Sequence, residues 1–387
     1  MTRFCSIFSQ LLQLFPRHEF QRAVAATGAE RHARGFTCWG QFVAMLFCQL
    51  GRAQSLREIC GGLASCEGRL AHLGIAAPSR TTLAYANAHR PWVLYQHVFG
   101  QLLDRCRAQA GHHRFRFRNP LLSIDATVID LCAEVFPWAA FRRTKGAVKL
   151  HCTLDHRGYL PTAVVITDGR TNEVRVAQQT TFAPGTIVVM DRGYLDFAWF
   201  ARLDAQGVFF VTRAKETTAY AVVDTRAVPS RGGIVADERI GLTGPLSRTK
   251  YAADRPLRRV VLRTDDGTTL VFLTNHLGLG ATTVARLYKD RWQIELFFKA
   301  LKQHLRVRTF VGTSPNALHI QIWTALIALL LLKYLQLRAR FGWSLSNLVA
   351  LLRMNLFVYR DLWVWLDDPF TAPPLPPEPT QGALAWT

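Results

Sequence analysis

The chain has 387 residues, 49% of them hydrophobic and 19% charged, so it can bury a large core and is not mainly disordered. Its 47 Lys+Arg against 27 Asp+Glu give a net charge of +20 and a pI near 10.2. An excess of this size points to a polyanion partner, with nucleic acid ahead of a membrane surface, although charge alone does not separate the two.

The eight cysteines form no Cys-x-x-Cys pair, so neither a zinc site nor a disulfide framework is supported, and reduced thiols in a cytoplasmic protein are expected. Residues Met1 to Phe20 mix apolar residues with His, Arg and Glu and show no small-residue cleavage site, so no signal peptide is expected. The longest apolar run, Ile322 to Leu332, is too short for a membrane span and leads into Lys333, which predicts a buried helix.

Residues 1–112 carry helical apolar spacing, as through Phe42, Met45, Leu46 and Leu50, and form a predicted helical unit. Ser55-Leu56-Arg57-Glu58 and Pro78-Ser79-Arg80-Thr81-Thr82 both read as capped helix starts. They suit either a helix-turn-helix that presents Arg80 to DNA or an ordinary helical bundle. In His112 to Arg118 the cations Arg114, Arg116 and Arg118 alternate with Phe115 and Phe117. An extended chain would place cations on one side for phosphate contacts and rings on the other; a solvated basic linker is the alternative.

Leu121 to Asp130 reads as a strand in which Asp125 lies among apolar and β-branched neighbours, an unusual place for an unused charge. Val148–Thr153 and Leu160–Ile166, joined by Asp155-His156-Arg157-Gly158, predict a hairpin. After a short helix around Glu173 to Gln179, the run Thr186 to Met190 predicts a buried strand that ends in Asp191-Arg192-Gly193. Asp191 sits where ligands bind in open α/β sheets, or it caps a helix. Leu195–Leu203 is a predicted helix, and Val208–Val211 a strand leading to Arg213 and Lys215.

From 216 to 275 Gly, Pro and charges become frequent among short β-rich runs, which predicts a β-rich insertion. No Pro or Gly interrupts Ala281 to Arg308, so one helix of several turns is expected there. Tyr288, Arg291, Glu295 and Lys302 would fall within an arc of about 60° on it, with Lys299 nearby. Ile294, Phe297, Phe298, Leu301 and Leu305 would form its buried face. Arg291 and Glu295, at i and i+4, are equally an ordinary surface ion pair. Further helices are predicted at Ala317–Leu337 and Leu345–Leu352, and a Pro-rich, disordered tail at 367–387.

Three carboxylates, Asp125, Asp191 and Glu295, can converge from these elements. Brought together they need cations, and hard oxygen donors suit two Mg²⁺ or Mn²⁺ ions and phosphoryl transfer. The pattern Y-(2)-R-(3)-E-(6)-K at Tyr288, Arg291, Glu295 and Lys302 resembles the signature of DDE transposases of bacterial insertion sequences, specifically the insertion-sequence-four family. Asp125 in Ile-Asp-Ala-Thr-Val and Asp191 in Met-Asp-Arg-Gly-Tyr are similar to that family's first two acidic motifs.

The resemblance implies an α/β chain with an RNase H-like mixed-sheet catalytic core at 113–215 and 276–366, interrupted by the insertion at 216–275. It implies a helical N-terminal domain that binds DNA ends, and Asp125, Asp191 and Glu295 as ligands of two Mg²⁺ or Mn²⁺ ions. Tyr288, Arg291 and Lys302 would hold DNA near its cleaved end, with Lys299, Arg213, Lys215, Arg114, Arg116, Arg118 and Arg80 as further expected DNA contacts.

The implied activity is cut-and-paste transposition of inverted-repeat ends into target DNA by a homodimer in the bacterial cytoplasm, nucleoid-associated and without a membrane partner. A nuclease or resolvase on the same core, or an inactive DNA-binding protein whose acids pair with Arg192, Arg213 and Arg291, are the alternatives. Some family members stack a Trp of the insertion on a flipped base. This chain has no Trp between Trp199 and Trp292, which leaves Phe209, Phe210 or Phe272 for that place.

Overall fold

A computed structural model describes residues 5–370 except 32, 34, 67–69, 71–72, 133, 135, 143–144, 252–254, 256 and 306–310. Six helices lead the chain: α1 (Ile7–Leu12), α2 (Arg17–Thr27), α3 (Cys38–Gly51), α4 (Leu56–Ala64), α5 (Arg80–His89) and α6 (Val93–Gln109). Ser55 and Ser79 cap α4 and α5 by accepting from the N–H groups of Glu58 and Thr82. Residues 65–79 separate these two helices, longer than the three- or four-residue turn of a helix-turn-helix.

One mixed sheet of ten strands follows. It comprises β1 (Leu121–Cys132), β2 (Ala140–Arg142), β3 (Lys145–Asp155), β4 (Leu160–Asp168), β5 (Ile187–Val189), β6 (Phe209–Arg213), β7 (Tyr220–Thr225), β8 (Ile234–Leu242), β9 (Leu257–Arg263) and β10 (Thr269–Thr274). The expected hairpin is β3–β4, and β3 pairs antiparallel with β1. β1, β5 and β6 run parallel to one another, and β5 is buried throughout.

The strands expected as an insertion are continuous with this sheet, because β10 pairs antiparallel with β6 and β9, β8 and β7 add on outward. A buried ion pair holds that extension: Arg258 donates to both oxygens of Asp237 at 2.7 Å, and both side chains are at least 95% buried.

The remaining helices are α7 (Glu173–Ala177), α8 (Phe197–Ala205), α9 (Pro245–Lys250), α10 (Ala281–Asp290), α11 (Trp292–Leu305), α12 (Pro315–Arg338), α13 (Leu345–Met354) and α14 (Leu362–Asp367). The single helix expected from 281 to 308 is therefore two, which meet at Arg291. Residues 306–308 of that expectation lie outside the described residues. Ile294, Phe297, Phe298 and Leu301 are buried as expected, whereas the side chain of Leu305 is not described.

The Ile322–Leu332 run lies in a buried helix, as expected, although the helix extends well beyond the run. Its helix, α12, has 24 residues and is long and apolar enough to cross a membrane, yet 89% of its most apolar window is buried inside the protein. An all-round apolar helix has to be enclosed on every side. Here Leu326 and Leu330 share one hydrophobic cluster with Phe42 and Leu46 of α3, Leu102 of α6 and Leu348 of α13. Leu150 and Leu154 of β3 belong to the same cluster, so the helical layer lies against the sheet that carries Asp125. Of the tail expected at 367–387, Asp367 ends α14 and residues 371–387 lie outside the described residues.

Candidate active site

The parallel pairing of β1 and β5 sets Ser123 opposite Val189. Asp125 lies two residues beyond Ser123 on β1 and Asp191 two residues past the end of β5, and the charge of Asp191 is close enough to act on the Asp125 carboxyl. Asp191 then turns into a 3₁₀ helix at Arg192–Tyr194, and its carboxylate accepts from the Gly193 N–H at 2.8 Å. A Cβ at this position would lie 2.9 Å from Asp191 Oδ1, so a larger residue would have to displace that carboxylate. Asp191 is thus both the acid at the strand end and a helix cap.

The third carboxylate arrives from the helices. Arg291, at the junction of α10 and α11, donates from Nη2 to Glu295 Oε1 at 2.6 Å and from Nη1 to Asp125 Oδ2 at 3.2 Å. The ordinary i, i+4 ion pair exists, but the same guanidinium also crosses to the sheet, and its side chain is only 10% exposed. Asp125 accepts a further bond from the Ala126 N–H at 2.8 Å. Burial pushes the Asp125 carboxyl up from 3.8 to about 6, with the negative Asp191 and Glu295 adding to the rise; the Ala126 N–H and the Arg291 charge oppose it.

Asp125, Ala126, Thr127, Glu295, Phe298, Lys299, Lys302 and Gln303 line an open groove of about 580 Å³. Two carboxylates and two lysines of the expected set therefore share one cleft. Tyr288 lies on its sheet side, where its ring packs on Phe272 at 5.1 Å between centroids and the Arg291 guanidinium stands 5.5 Å from the ring centre. Burial raises the Tyr288 phenol, while the charges of Arg291 and Arg213 act to lower it.

The other expected contacts are spread out. Lys215 and Arg80 are exposed and are not part of the groove lining. The 112–118 segment is not a strand, yet His113 and Phe115 point inward while Arg114, Arg116 and Arg118 face solvent. Arg114, Arg116 and Arg286 border a second open groove, of about 680 Å³, at the start of α10. Phe210 and Phe272 are core residues, 0% and 1% exposed, and Phe209 stacks on His276 with ring centres 4.1 Å apart.

Sequence reasoning did not pick out Tyr194, which is buried, with its phenol raised first by burial and then by Asp125, Glu173 and Asp191. It also missed Asp290, a charged residue immediately before Arg291 whose side chain has no exposure. Its position beside the signature Arg was the only available signal.

As a test of whether a metal fits, the donors are hard carboxylate oxygens, and Asp125 is an acid that burial and two neighbouring acids discourage from ionising, a charge balance a divalent cation would offset. Among the described residues no group of three His, Cys, Asp or Glu is arranged to hold a metal, and Arg291 is the counter-ion to two of the acids.

A mixed parallel and antiparallel sheet with Asp125 within β1 and Asp191 just past β5, and with Asp125 bridged through Arg291 to Glu295 on α11, defines an α/β protein with a cluster of acids beside its sheet. Residues 116–331 match the family model described as Transposase DDE domain, and residues 5–76 match Domain of unknown function (DUF4372). The chain is 32% identical to "Putative transposase y4zB" of Sinorhizobium fredii over 314 residues, 79% of this chain and 85% of that protein. It is 28% identical to "Probable transposase for insertion sequence element IS5377" of Geobacillus stearothermophilus over 245 residues, 63% of this chain and 64% of that one. Among solved structures, the piggyBac transposase synaptic complex with hairpin DNA aligns with a TM-score of 0.46 at 12% identity, covering 97% of this chain and 85% of that one.

The chain belongs to the DDE transposases of insertion sequences. It is an enzyme of DNA cleavage and strand transfer.

Proposed function

We propose that the cleft between β1 and α11 is the centre at which this transposase cuts and joins the inverted-repeat ends of its element. The observation that carries this is the single guanidinium of Arg291 bridging Asp125 to Glu295, with Asp191, just past the neighbouring β5, near enough to raise the Asp125 carboxyl. The strand order β4-β3-β1-β5-β6, with β1, β5 and β6 parallel, supports an RNase H-like core to which β7–β10 are an addition.

In this reading Asp125, Asp191 and Glu295 hold two Mg²⁺ or Mn²⁺ ions. Bound there, such ions would activate a water and offset charge on the scissile phosphate and its leaving 3′ oxygen. Lys299 and Lys302 line the same cleft and hold the DNA backbone by charge. Tyr288 and Arg291 orient the cleaved end. The helical region 1–112, including Arg80, is the end-binding part; 113–215 and 276–366 form the core, 216–275 the insertion and 367–387 the tail. Arg114, Arg116, Arg118, Arg213 and Lys215 contribute backbone contacts. The synaptic complex is a homodimer, and the protein acts on DNA at the nucleoid in the cytoplasm.

Asp125→Asn, Asp191→Asn and Glu295→Gln should each abolish cleavage of a plasmid carrying the gene with its flanking DNA, while gel-shift binding of the flanking DNA persists. Cleavage retained by any of the purified variants would contradict the assignment. Supplying pre-cleaved ends and a supercoiled target separates a transposase, which joins them, from a nuclease, which does not.

A further inference from the structure

Behind the cleft lies a second, sealed constellation. His156, in the turn between β3 and β4, places Nδ1 2.7 Å from Asp290 Oδ2 and Nε2 2.7 Å from Ser123 Oγ. Asp290 also accepts from Arg114, and from the Tyr159 hydroxyl at 3.4 Å. The geometry is that of a Ser-His-Asp triad, but Ser123 has 0% exposure and the Asp290 and His156 side chains 0% and 1%, so no substrate reaches a nucleophile there.

We infer that His156 is a positioning residue which latches the end of α10 to β1 and so sets the separation of Glu295 from Asp125. Asp290 is the last residue of α10, and the next residue, Arg291, makes the bridge to both acids. Ser123 lies two residues before Asp125 on the same face of β1. The ring thus ties β1, which bears Asp125, to the end of α10, one residue before the Arg291 that holds Glu295 on α11.

An acid at a helix C-terminus opposes the helix dipole, and a fully buried one costs further solvation. Asp290 suffers both and contributes nothing to the apolar core, so its placement serves geometry. With Asp290 Oδ2 as the acceptor, Nδ1 donates to it and Nε2 accepts from the Ser123 hydroxyl. The Arg114 end of the latch is 56% exposed and borders the second groove, so the network runs from that groove to the buried Ser123 on β1.

The test begins with Ser123→Ala, which removes one hydroxyl and leaves the strand intact. Single-turnover cleavage of the flanking-DNA substrate, with enzyme saturating, should slow on the order of ten- to a hundredfold, with the Kd for that DNA and the melting temperature little changed. Combined with Asp290→Asn, the rate losses should be non-additive, since both break one latch. An unchanged rate in Ser123→Ala, or fully additive losses, would overturn the inference.

The ¹⁵N spectrum of selectively labelled wild-type protein should show Nδ1 of His156 protonated, with His156→Gln, confirmed as folded by its amide spectrum, supplying the assignment. An unprotonated Nδ1 would equally overturn it. The wild-type cleavage rate, measured alongside, reports on the cleft assignment itself.

Discussion

Arg291 reaches from the junction of two helices to Asp125 in the middle of a strand, 3.2 Å away, while it holds Glu295 at 2.6 Å. This relationship organises the site, because one cation offsets two acids that would otherwise repel across the cleft. Its Nε is buried and has no hydrogen-bond partner among the described residues, so the guanidinium holds the two acids through its terminal nitrogens.

Arg291→Lys should therefore fail to substitute. A point charge on a flexible stem cannot span two carboxylates as the planar fork does. The expected outcome is a destabilisation of about 1–3 kcal/mol in urea unfolding and a cleavage rate at least about tenfold lower. A lysine variant of wild-type stability and rate would show that the bridge is incidental.

Asp125 gives a pH dependence of definite sign. Below about pH 4 it is protonated in both folded and unfolded chains. As pH rises from 3.8 to about 6 the unfolded chain ionises first, so the metal-free folded state loses stability across that window. Above it the loss is complete, at most about 3 kcal/mol for a displacement of roughly two pH units. Asp125→Asn should accordingly melt close to wild type at pH 4 and above it at pH 7.5. A melting difference that is constant with pH would refute this.

Two neighbouring arginines should behave differently. Arg116 is exposed, and its replacement by Ala should leave unfolding unaffected while reducing the slope of log K against log salt for DNA by about 0.9. Arg114 is the partner of the buried Asp290, so Arg114→Ala should in addition cost about 2–3 kcal/mol of stability. Urea titrations of the two variants in parallel would decide.

The added strands depend on a different pair. Asp237→Ala leaves the Arg258 guanidinium, 1% exposed, without its carboxylate, and should cost about 3–5 kcal/mol. Arg258 also donates to the carbonyls of His276 and Leu277, just ahead of α10. Limited proteolysis of the variant should open the chain first around 216–280; unchanged cleavage kinetics would count against this role.

Much of the site was legible before any coordinates. Strand alternation marked Asp125 as a charge out of place, the end of an apolar run marked Asp191, and helical spacing grouped Arg291, Glu295 and Lys302 on one face. These are local periodicities, and the backbone geometry that creates them is fixed within a few residues. The caps at Ser55 and Ser79 were readable for the same reason.

What sequence could not supply was how distant elements meet. Only the pairing of β1 with β5 brought the end of β5 and Asp191 near Asp125, and only the tertiary structure extended an i, i+4 ion pair into a bridge to the sheet. The continuity of β7–β10 with the core sheet, the enclosure of α12 and the sealed contact of Ser123, His156 and Asp290 are of the same kind. Periodicity specifies which side of an element is buried but not what it is buried against, because register and packing are settled by contacts between residues 30 to 170 positions apart.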